Sequence, residues 1–200
     1  MKVGICPVGT RLPPSRDYLG PDGMMIYAKL MSFLCEDEKR NRLIARWILH
    51  DKEKSCLILS DRLTHLQAIM DMLPPDMASK AVMISGKMTT KAGKAERQQA
   101  IEDMRSGKKR YLFATYSLAK EGLDIPRLER LYLTTPHKDS AVITQAVGRI
   151  ARVCPGKADP ICYDFVDTDI RFLWNAWKVR ERVYKHDKQY FVRWGNEMGV

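Results

Sequence analysis

The sequence has few cysteines and histidines, and neither residue type is arranged to hold a metal. It contains five cysteines and four histidines in 200 residues. The cysteines are odd in number and form no Cys-x-x-Cys pair. This excludes a zinc module and a disulfide framework, and it predicts reduced, mostly buried thiols in a cytoplasmic protein.

Long apolar segments are also missing. No run approaches the roughly 20 residues that a transmembrane helix needs, and no apolar signal-peptide core is found near the N-terminus. We therefore expect no membrane partner. Hydrophobic residues still make up 45% of the chain, which is enough for the core of one domain with an added subdomain.

Acidic residues are too few to balance the basic ones. The sequence has 34 lysines and arginines against 24 aspartates and glutamates, a formal charge of +10. Such an excess predicts a polyanionic partner. Because no basic amphipathic helix stands out, nucleic acid is a better candidate than a membrane surface.

A phosphate-binding loop of the form Gly-x-x-x-x-Gly-Lys-Ser/Thr is absent from the sequence. Asp37–Arg40 has the form of a magnesium-binding acidic box, but such a carboxylate ends a buried strand and follows a phosphate loop. Only 36 residues precede Asp37, and none forms that loop. We therefore expect Asp37 and Glu38 to begin a helix, where the helix dipole favours them.

From residue 55 onwards, short apolar runs alternate with amphipathic segments. We predict strands over residues 55–60, 81–85, 110–115, 128–134 and 161–166, and helices over residues 63–73, 95–105, 140–152 and 169–190. This alternation predicts a mostly parallel sheet with helices on both faces, which is a three-layer α/β domain. Residues 51–168 are assigned to that domain.

The two ends of the chain are assigned separately. Residues 1–50 are a lead-in, with a strand or extended arm over Val3–Val8 and two amphipathic helices within 24–50. The abrupt start of the arm is typical of the tail of an earlier domain. Residues 169–200 form a C-terminal helix and tail. We expect the aromatic face of this helix to pack on the domain rather than to stack on bases. Residues 190–194 are expected to form a short strand or a docking segment.

The run Gln145–Arg152 carries two arginines three residues apart, which places Arg149 and Arg152 on one side of a helix. The apolar residues Val147, Ile150 and Ala151 can anchor the other side. Guanidinium groups bind phosphate through paired, charged hydrogen bonds. A surface helix with two solvated arginines is the alternative interpretation.

Four blocks in order along the chain resemble motifs of superfamily 2 helicases. Leu57–Ser60 resembles motif IV, Ser85–Met88 a loop that holds a nucleic-acid phosphate, Ala114–Pro126 motif V, and Gln145–Arg152 motif VI. Together they resemble the C-terminal RecA-like domain of such a motor. The finer resemblance is to bacteriophage and prophage helicase-like proteins, and it rests on Asn41 and on the segments 59–65, 156–157 and 163–167.

The resemblance implies a RecA-like, P-loop NTPase-like fold that acts with an N-terminal ATP-binding RecA-like domain. That partner domain would hold most of the ATP and the Mg²⁺. Arg149 and Arg152 would be catalytic arginine fingers directed at the γ-phosphate. The implied nucleotide-binding residues are Gln145, Glu121, Gly122 and Asp124, and the implied nucleic-acid-binding residues are Thr115, Gly86, Ser60, Arg62 and Lys87.

The function expected from this resemblance is that of the second motor domain of an ATP-dependent helicase or translocase, with DNA favoured. Without a phosphate loop, the chain alone is expected to be inactive. A non-catalytic RecA-like module that binds nucleic acid or regulates a larger complex is the alternative, and a motor subunit of a restriction or defence complex is a third.

Several of these residues also have purely structural interpretations. Gly86 and Gly122 suit turns at strand ends, and Asp124 suits a turn before Ile125-Pro126. His65 is expected to be a structural helix residue. Asp164 and Asp167 alternate in the last predicted strand, where solvated carboxylates are favoured over a metal pair.

Overall fold

The computed structural model describes residues 1–12, 17–86, 88–120, 123–186 and 191–194. The strands in these ranges are β1 (Lys2–Val8), β2 (Cys56–Ser60), β3 (Ala81–Ile84), β4 (Tyr111–Thr115), β5 (Arg130–Leu133), β6 (Ile161–Asp167) and β7 (Phe191–Trp194). The helices are α1 (Tyr27–Glu36), α2 (Glu38–His50), α3 (Leu63–Met70), α4 (Pro75–Ala78), α5 (Lys91–Ser106), α6 (Tyr116–Lys120), α7 (Ser140–Ile150) and α8 (Arg171–His186). The strands make one sheet in the order β3-β4-β2-β5-β6-β1-β7, and all its neighbouring strands are parallel.

Both faces of the sheet are buried, because successive strand residues point to opposite sides. In β2, Leu57 and Leu59 join the core beneath α5–α8, whereas Cys56 and Ile58 join the core beneath α2–α4. A smaller cluster joins α1 to the start of α8. The observed layers confirm the predicted three-layer α/β fold with a parallel sheet.

The N-terminal strand is an interior part of this sheet. β1 lies between β6 and β7, and Val3 and Ile5 are fully buried. Residues 2–8 therefore belong to this domain, and their interpretation as the tail of an earlier domain is wrong. Val3 and Ile5 face the core beneath α5–α8, whereas Cys6 and Val8 face the core beneath α2–α4, so both sides of this short run are buried. For the rest of the chain, the division at residues 50 and 168 stays a prediction.

Local signals in the sequence set several helix ends. The Asp37 side chain accepts hydrogen bonds from the backbone N–H groups of Lys39 and Arg40 at 3.0 and 3.2 Å, so it caps α2 as expected for a helix start. Gly107 ends α5 with a φ of 81°, a left-handed conformation that glycine adopts without strain.

Asp164 and Asp167 are buried rather than solvated, which corrects the sequence interpretation. Arg180 binds Asp164 through Nε and Nη2 at 2.8 and 2.9 Å, and Tyr184 donates to the same carboxylate at 2.8 Å. Arg40 binds Asp167 at 2.9 and 3.2 Å. Each carboxylate is stable inside the domain because a guanidinium neutralises it.

Helix α8 packs on the sheet through Ala176, Trp177 and Tyr184, which are buried, and this agrees with the expected packing of the helix. The short strand predicted near residue 190 is confirmed as β7. Within the described ranges, none of the helices combines the length and the apolar character needed to cross a bilayer.

Candidate functional site

Three strands end side by side at the edge of the sheet where ligands bind in open parallel folds. Ser60 at the end of β2 is in register with Thr115 at the end of β4, and Leu59 is in register with Leu133 of β5. Thr134, just beyond β5, donates its hydroxyl to the Leu59 carbonyl at 2.7 Å. The loops after these strands therefore form one continuous edge.

Arg149 lies on the side of α7 that faces away from the core. Val142, Ile143, Ala146, Val147 and Ile150 are buried against the sheet, whereas Gln145 and Arg149 lie on the outer side. The Arg149 Nε and Nη2 atoms donate to the Ala119 carbonyl at 3.3 and 3.1 Å. This acceptor is neutral, so the positive charge of Arg149 is not neutralised by that contact.

Arg152, just after α7, pairs with Asp124. Arg105 of α5 binds the same residue, with Nε 2.6 Å from the Asp124 carbonyl oxygen and Nη2 3.2 Å from its carboxylate. The pair is exposed, since 56% of the Asp124 side chain and 39% of the Arg152 side chain are accessible. The structure thus brings together Arg152 and Asp124, two residues that the resemblance implies bind the nucleotide.

Lys157 holds the C-terminal end of α7 in place. Its ammonium donates to the carbonyls of Ile150 and Arg152, each at 2.6 Å, and to that of Pro126 at 3.2 Å. Burial lowers the pKa of Lys157. Positive charge near a helix C-terminus is favourable. The lysine therefore ties α7 to the segment that carries Asp124, a role with no signal in the sequence beyond the Gly156-Lys157 pair.

We call Gln145, Arg149, Arg152 and Asp124 the arginine patch. It lies on the helical layer formed by α5, α6 and α7, apart from the strand ends. Glu121 and Gly122, also predicted to bind nucleotide, lie outside the described residues. Sequence reasoning missed Arg105, whose contact with Asp124 spans 19 residues and left no local pattern.

The predicted nucleic-acid residues lie at the strand ends, and we call Thr115, Arg62 and Gly86 the strand-end patch. The Thr115 hydroxyl is 2.9 Å from that of Ser117, and Gly86 is half-buried in a turn. The Arg62 guanidinium lies along α1, donating to Ser32 Oγ at 2.6 Å and to the Ala28 carbonyl at 2.7 Å. Lys87 falls outside the described residues.

Ser60 differs from these residues because its side chain is fully buried. Its hydroxyl lies 2.9 Å from His65 Nδ1 and accepts the backbone N–H of Arg62 at 3.2 Å. In this arrangement Ser60 points into the domain and supports Arg62, rather than facing a ligand.

His65 connects Ser60 to α2. Its Nε2 is 2.8 Å from Asn41 Oδ1, and the Asn41 amide donates to the Cys35 carbonyl at 2.8 Å. Since the Asn41 oxygen accepts, Nε2 carries the proton and Nδ1 accepts from Ser60. Burial, with a smaller contribution from Arg40, lowers the pKa of His65 to about 3. The structure supports the expected structural role.

A cleft of about 260 Å³ lies among the strand ends, lined by Asp61, Thr115, Tyr116, Ser117, His137 and Val142. Burial raises the pKa of Asp61, while His137, 3.8 Å away, opposes that shift. A larger cleft of about 630 Å³ lies beyond the end of β1. The buried Arg40 in its wall is already bonded to Asp167 and to the Thr134 carbonyl.

The arginine patch suits the phosphates of a nucleotide better than it suits a metal ion. Two guanidinium groups and an exposed amide supply donors for phosphate oxygens. Asp124 already lies between two arginines, and the described residues include no group of three or more histidine, cysteine, aspartate or glutamate side chains able to hold a metal. These residues fit ATP phosphates, and they do not supply a magnesium site.

Comparisons with known proteins identify the family of this domain. The model of the helicase conserved C-terminal domain matches residues 38–154. The sequence is 29% identical over 163 residues to a putative ATP-dependent RNA helicase of Acanthamoeba polyphaga mimivirus, covering 80% of this chain and 29% of the relative. It is 29% identical over 140 residues to a putative helicase of Sulfolobus islandicus filamentous virus, covering 70% and 24%. The chain thus spans less than a third of these curated relatives.

Solved structures show the same fold. The crystal structure of T4 UvsW superposes with a TM-score of 0.65 at 17% identity, over 96% of this chain and 40% of that one. The C-terminal domain of the DEAD-box protein Dbp5 gives 0.60 at 18% identity, over 78% and 82%. With the family match over more than half of its length, the chain belongs to the helicase conserved C-terminal domain family, as a RecA-like C-terminal domain of a superfamily 2 helicase with viral relatives.

Proposed function

We propose that this chain is the second motor domain of an ATP-dependent helicase or translocase and acts on DNA. It would complete an ATP site whose phosphate loop and Mg²⁺ ligands belong to an N-terminal RecA-like domain. The observation that carries the proposal is the arginine patch. Arg149 lies on the outer side of α7 and Arg152 follows the end of that helix, and each is held by an acceptor that is neutral or exposed.

The weak acceptors explain how the arginines can act in turn as part of the domain and as ligands of ATP. An exposed ion pair is worth about 0–1 kcal/mol, so exchanging Asp124 for a phosphate costs little. Bonds from a guanidinium to phosphate are stronger than those from the same group to a carbonyl. Closure of the two domains would therefore transfer Arg149 and Arg152 to the γ-phosphate, where positive charge stabilises the transition state.

The remaining predicted residues take supporting roles in this proposal. Gln145 lies one helical turn before Arg149 and would help to sense the nucleotide. Gly122 would let the backbone approach the nucleotide, and Glu121 would help to bind it. Asp124, once released by Arg152, would bond the ribose or connect the nucleotide to α7. The residues that hold Mg²⁺ would belong to the N-terminal domain, since the described part of this chain contains no group of three or more potential ligands.

The strand-end patch would hold the nucleic-acid backbone. Thr115 ends β4, and Arg62 and Gly86 lie in the loops after β2 and β3, where a phosphate can approach side chains and backbone N–H groups. Lys87 is included from the sequence resemblance alone. Such contacts bind without reading sequence, and their affinity falls with salt. The net charge of +10 supports this role.

The test joins this chain to an ATP-binding RecA-like half and compares ATP hydrolysis with and without DNA. We expect Arg149→Ala and Arg152→Ala each to lower kcat by about 10³-fold. Arg46→Ala, on the exposed side of α2, is the matched control and should keep full turnover. The chain without its partner should not hydrolyse ATP, and robust turnover by the isolated chain would refute the proposal.

A non-catalytic binding or regulatory module is the second candidate. One observation favours it: both guanidinium groups already have acceptors within the domain, so they could serve structure alone. Turnover that is unaffected by both substitutions would support this candidate. Parallel assays with RNA decide the substrate, because the mimivirus relative is named an RNA helicase.

A further inference from the structure

A group of two aromatic rings and a lysine lies beside the strand-end patch. The Lys138 ammonium is 4.0 Å from the centre of the Phe172 ring and 5.7 Å from that of the Tyr27 ring. The two ring centres are 6.2 Å apart. The residues come from the start of α1, the loop after β5 and the start of α8, so folding alone assembles them.

The group is accessible. Tyr27 is 38% exposed, Lys138 is exposed, and Met24 nearby in the chain is 68% exposed. An accessible tyrosine ring beside an exposed lysine therefore offers a ligand both a ring face and a positive charge.

The loop that carries Lys138 is fixed from two sides. The Tyr27 hydroxyl donates to the Pro136 carbonyl at 3.0 Å, and the Tyr116 hydroxyl donates to the Thr135 carbonyl at 2.9 Å. Tyr116 also packs against the His137 ring, with ring centres 4.6 Å apart. A ligand would therefore meet a preformed surface, which lowers the entropic cost of binding.

The same contacts make this surface continuous with the strand-end patch. Arg62 bonds the carbonyl of Ala28, the residue after Tyr27. His137, the residue before Lys138, lines the cleft that also contains Thr115. A nucleic-acid strand bound along Thr115 and Arg62 would therefore reach Tyr27 and Lys138 next.

We propose that Tyr27, Lys138 and Phe172 form a platform for single-stranded nucleic acid, with a base on the Tyr27 ring and a phosphate near Lys138. This inference rests on the proposed function and extends its nucleic-acid track onto α1. An aromatic face binds any base by stacking, and a cation beside it binds the adjoining phosphate. A protein segment would need more apolar surface than a single exposed tyrosine and methionine offer.

The experiment measures binding of a fluorescent single-stranded oligonucleotide by the chain joined to its ATP-binding half. Tyr27→Ala should weaken binding about tenfold, the loss expected for one stacked base. Tyr27→Phe should keep the affinity within about twofold, because it keeps the ring. Tyr27→Leu, which retains apolar cover over Phe172, should weaken binding as Tyr27→Ala does even if the alanine variant is less stable.

An oligonucleotide without bases isolates the stacking contribution. Wild type and Tyr27→Ala should bind this backbone equally. Lys138→Gln should reduce the slope of log affinity against log salt by about one on either oligonucleotide. Lys52→Gln, on the loop before β2 at the opposite edge of the sheet, is the matched control and should change neither the affinity nor the slope.

The outcomes separate this inference from the proposed function. If Arg62→Ala and Thr115→Ala weaken binding while Tyr27→Ala and Tyr27→Leu do not, the platform is refuted and the strand-end track stands. If the joined protein binds no nucleic acid, both proposals fail. Equal losses for Tyr27→Ala on oligonucleotides with and without bases would also overturn the platform.

Discussion

Two pairs of arginines in this domain differ in how their side chains are held, one pair buried and the other on the outer layer. Arg40 and Arg180 are 1% exposed, and each lies against a buried carboxylate of β6. Arg149 and Arg152 lie on the outer layer, held by a carbonyl and an exposed carboxylate. Burial rather than residue type separates a structural arginine from one that is available to a ligand.

The reason is the cost of leaving a charge without its partner. A buried carboxylate that loses its guanidinium has no water to replace it, so the buried pairs can hardly open in the native state. Water replaces either partner of an exposed pair at small cost. Arg152 can therefore leave Asp124, whereas Arg180 cannot leave Asp164.

Removing a buried arginine should have the largest effect. Arg180→Leu leaves Asp164 charged and unpaired, and we expect the free energy of unfolding to fall by about 3–5 kcal/mol. Urea denaturation measures this change. Arg182→Leu, on the exposed side of the same helix, should change the free energy of unfolding by less than about 0.5 kcal/mol. Similar losses for both variants would contradict the comparison.

Acid should destabilise the buried network through His65. Burial lowers its pKa to about 3 in the folded state, against about 6.5 in the unfolded chain, so the unfolded chain binds the proton more tightly. Stability is therefore full above pH 6.5 and is lost as the pH falls, by about 2 kcal/mol between pH 6.5 and 5.

Urea titrations at several pH values test the His65 prediction. His65→Gln should remove most of the pH dependence in this window, even though the variant is less stable at pH 7. His50→Gln, exposed at the end of α2, should keep it. If His65→Gln shows the same slope as wild type, another group is responsible.

Lys157 lies between the two extremes, because it is half-buried and has three acceptors. Lys157→Met removes the donor from carbonyls that are then poorly satisfied, and we expect a loss of about 1–2 kcal/mol in the free energy of unfolding. Kcat of the joined motor should fall while nucleic-acid affinity stays unchanged, since α7 would lose its fixed end. A stability loss without any change in kcat would show that Lys157 has no part in placing the arginines.

Sequence reasoning recovered the fold because the fold depends on local and repeated signals. Apolar strands alternating with amphipathic helices predicted the three layers of the fold, and Asp37 indicated the start of α2. The buried ion pairs had no such signal. Arg40 and Asp167 are separated by 127 residues, and nothing near either residue indicates its partner.

The site was only partly accessible to the same reasoning. The motif VI pattern identified Arg149 and Arg152, since their spacing on a helix is local information. The contact of Arg152 with Asp124 joins two predicted residues, yet its exposure and the added Arg105 emerge only from the fold. The Tyr27 platform was missed altogether, because its members come from three distant segments.

The smallest effect is expected at the exposed pair. Arg152→Ala and Asp124→Asn should each change the free energy of unfolding by less than about 1 kcal/mol, because water replaces either partner. Urea denaturation of both variants and of the double variant measures the coupling between them, which should also stay below about 1 kcal/mol. Compared with the larger loss of stability expected for Arg180→Leu, this result would distinguish a buried structural arginine from one that is available to a ligand. A coupling as large as that of a buried pair would instead make Arg152 a structural residue and would favour the non-catalytic module.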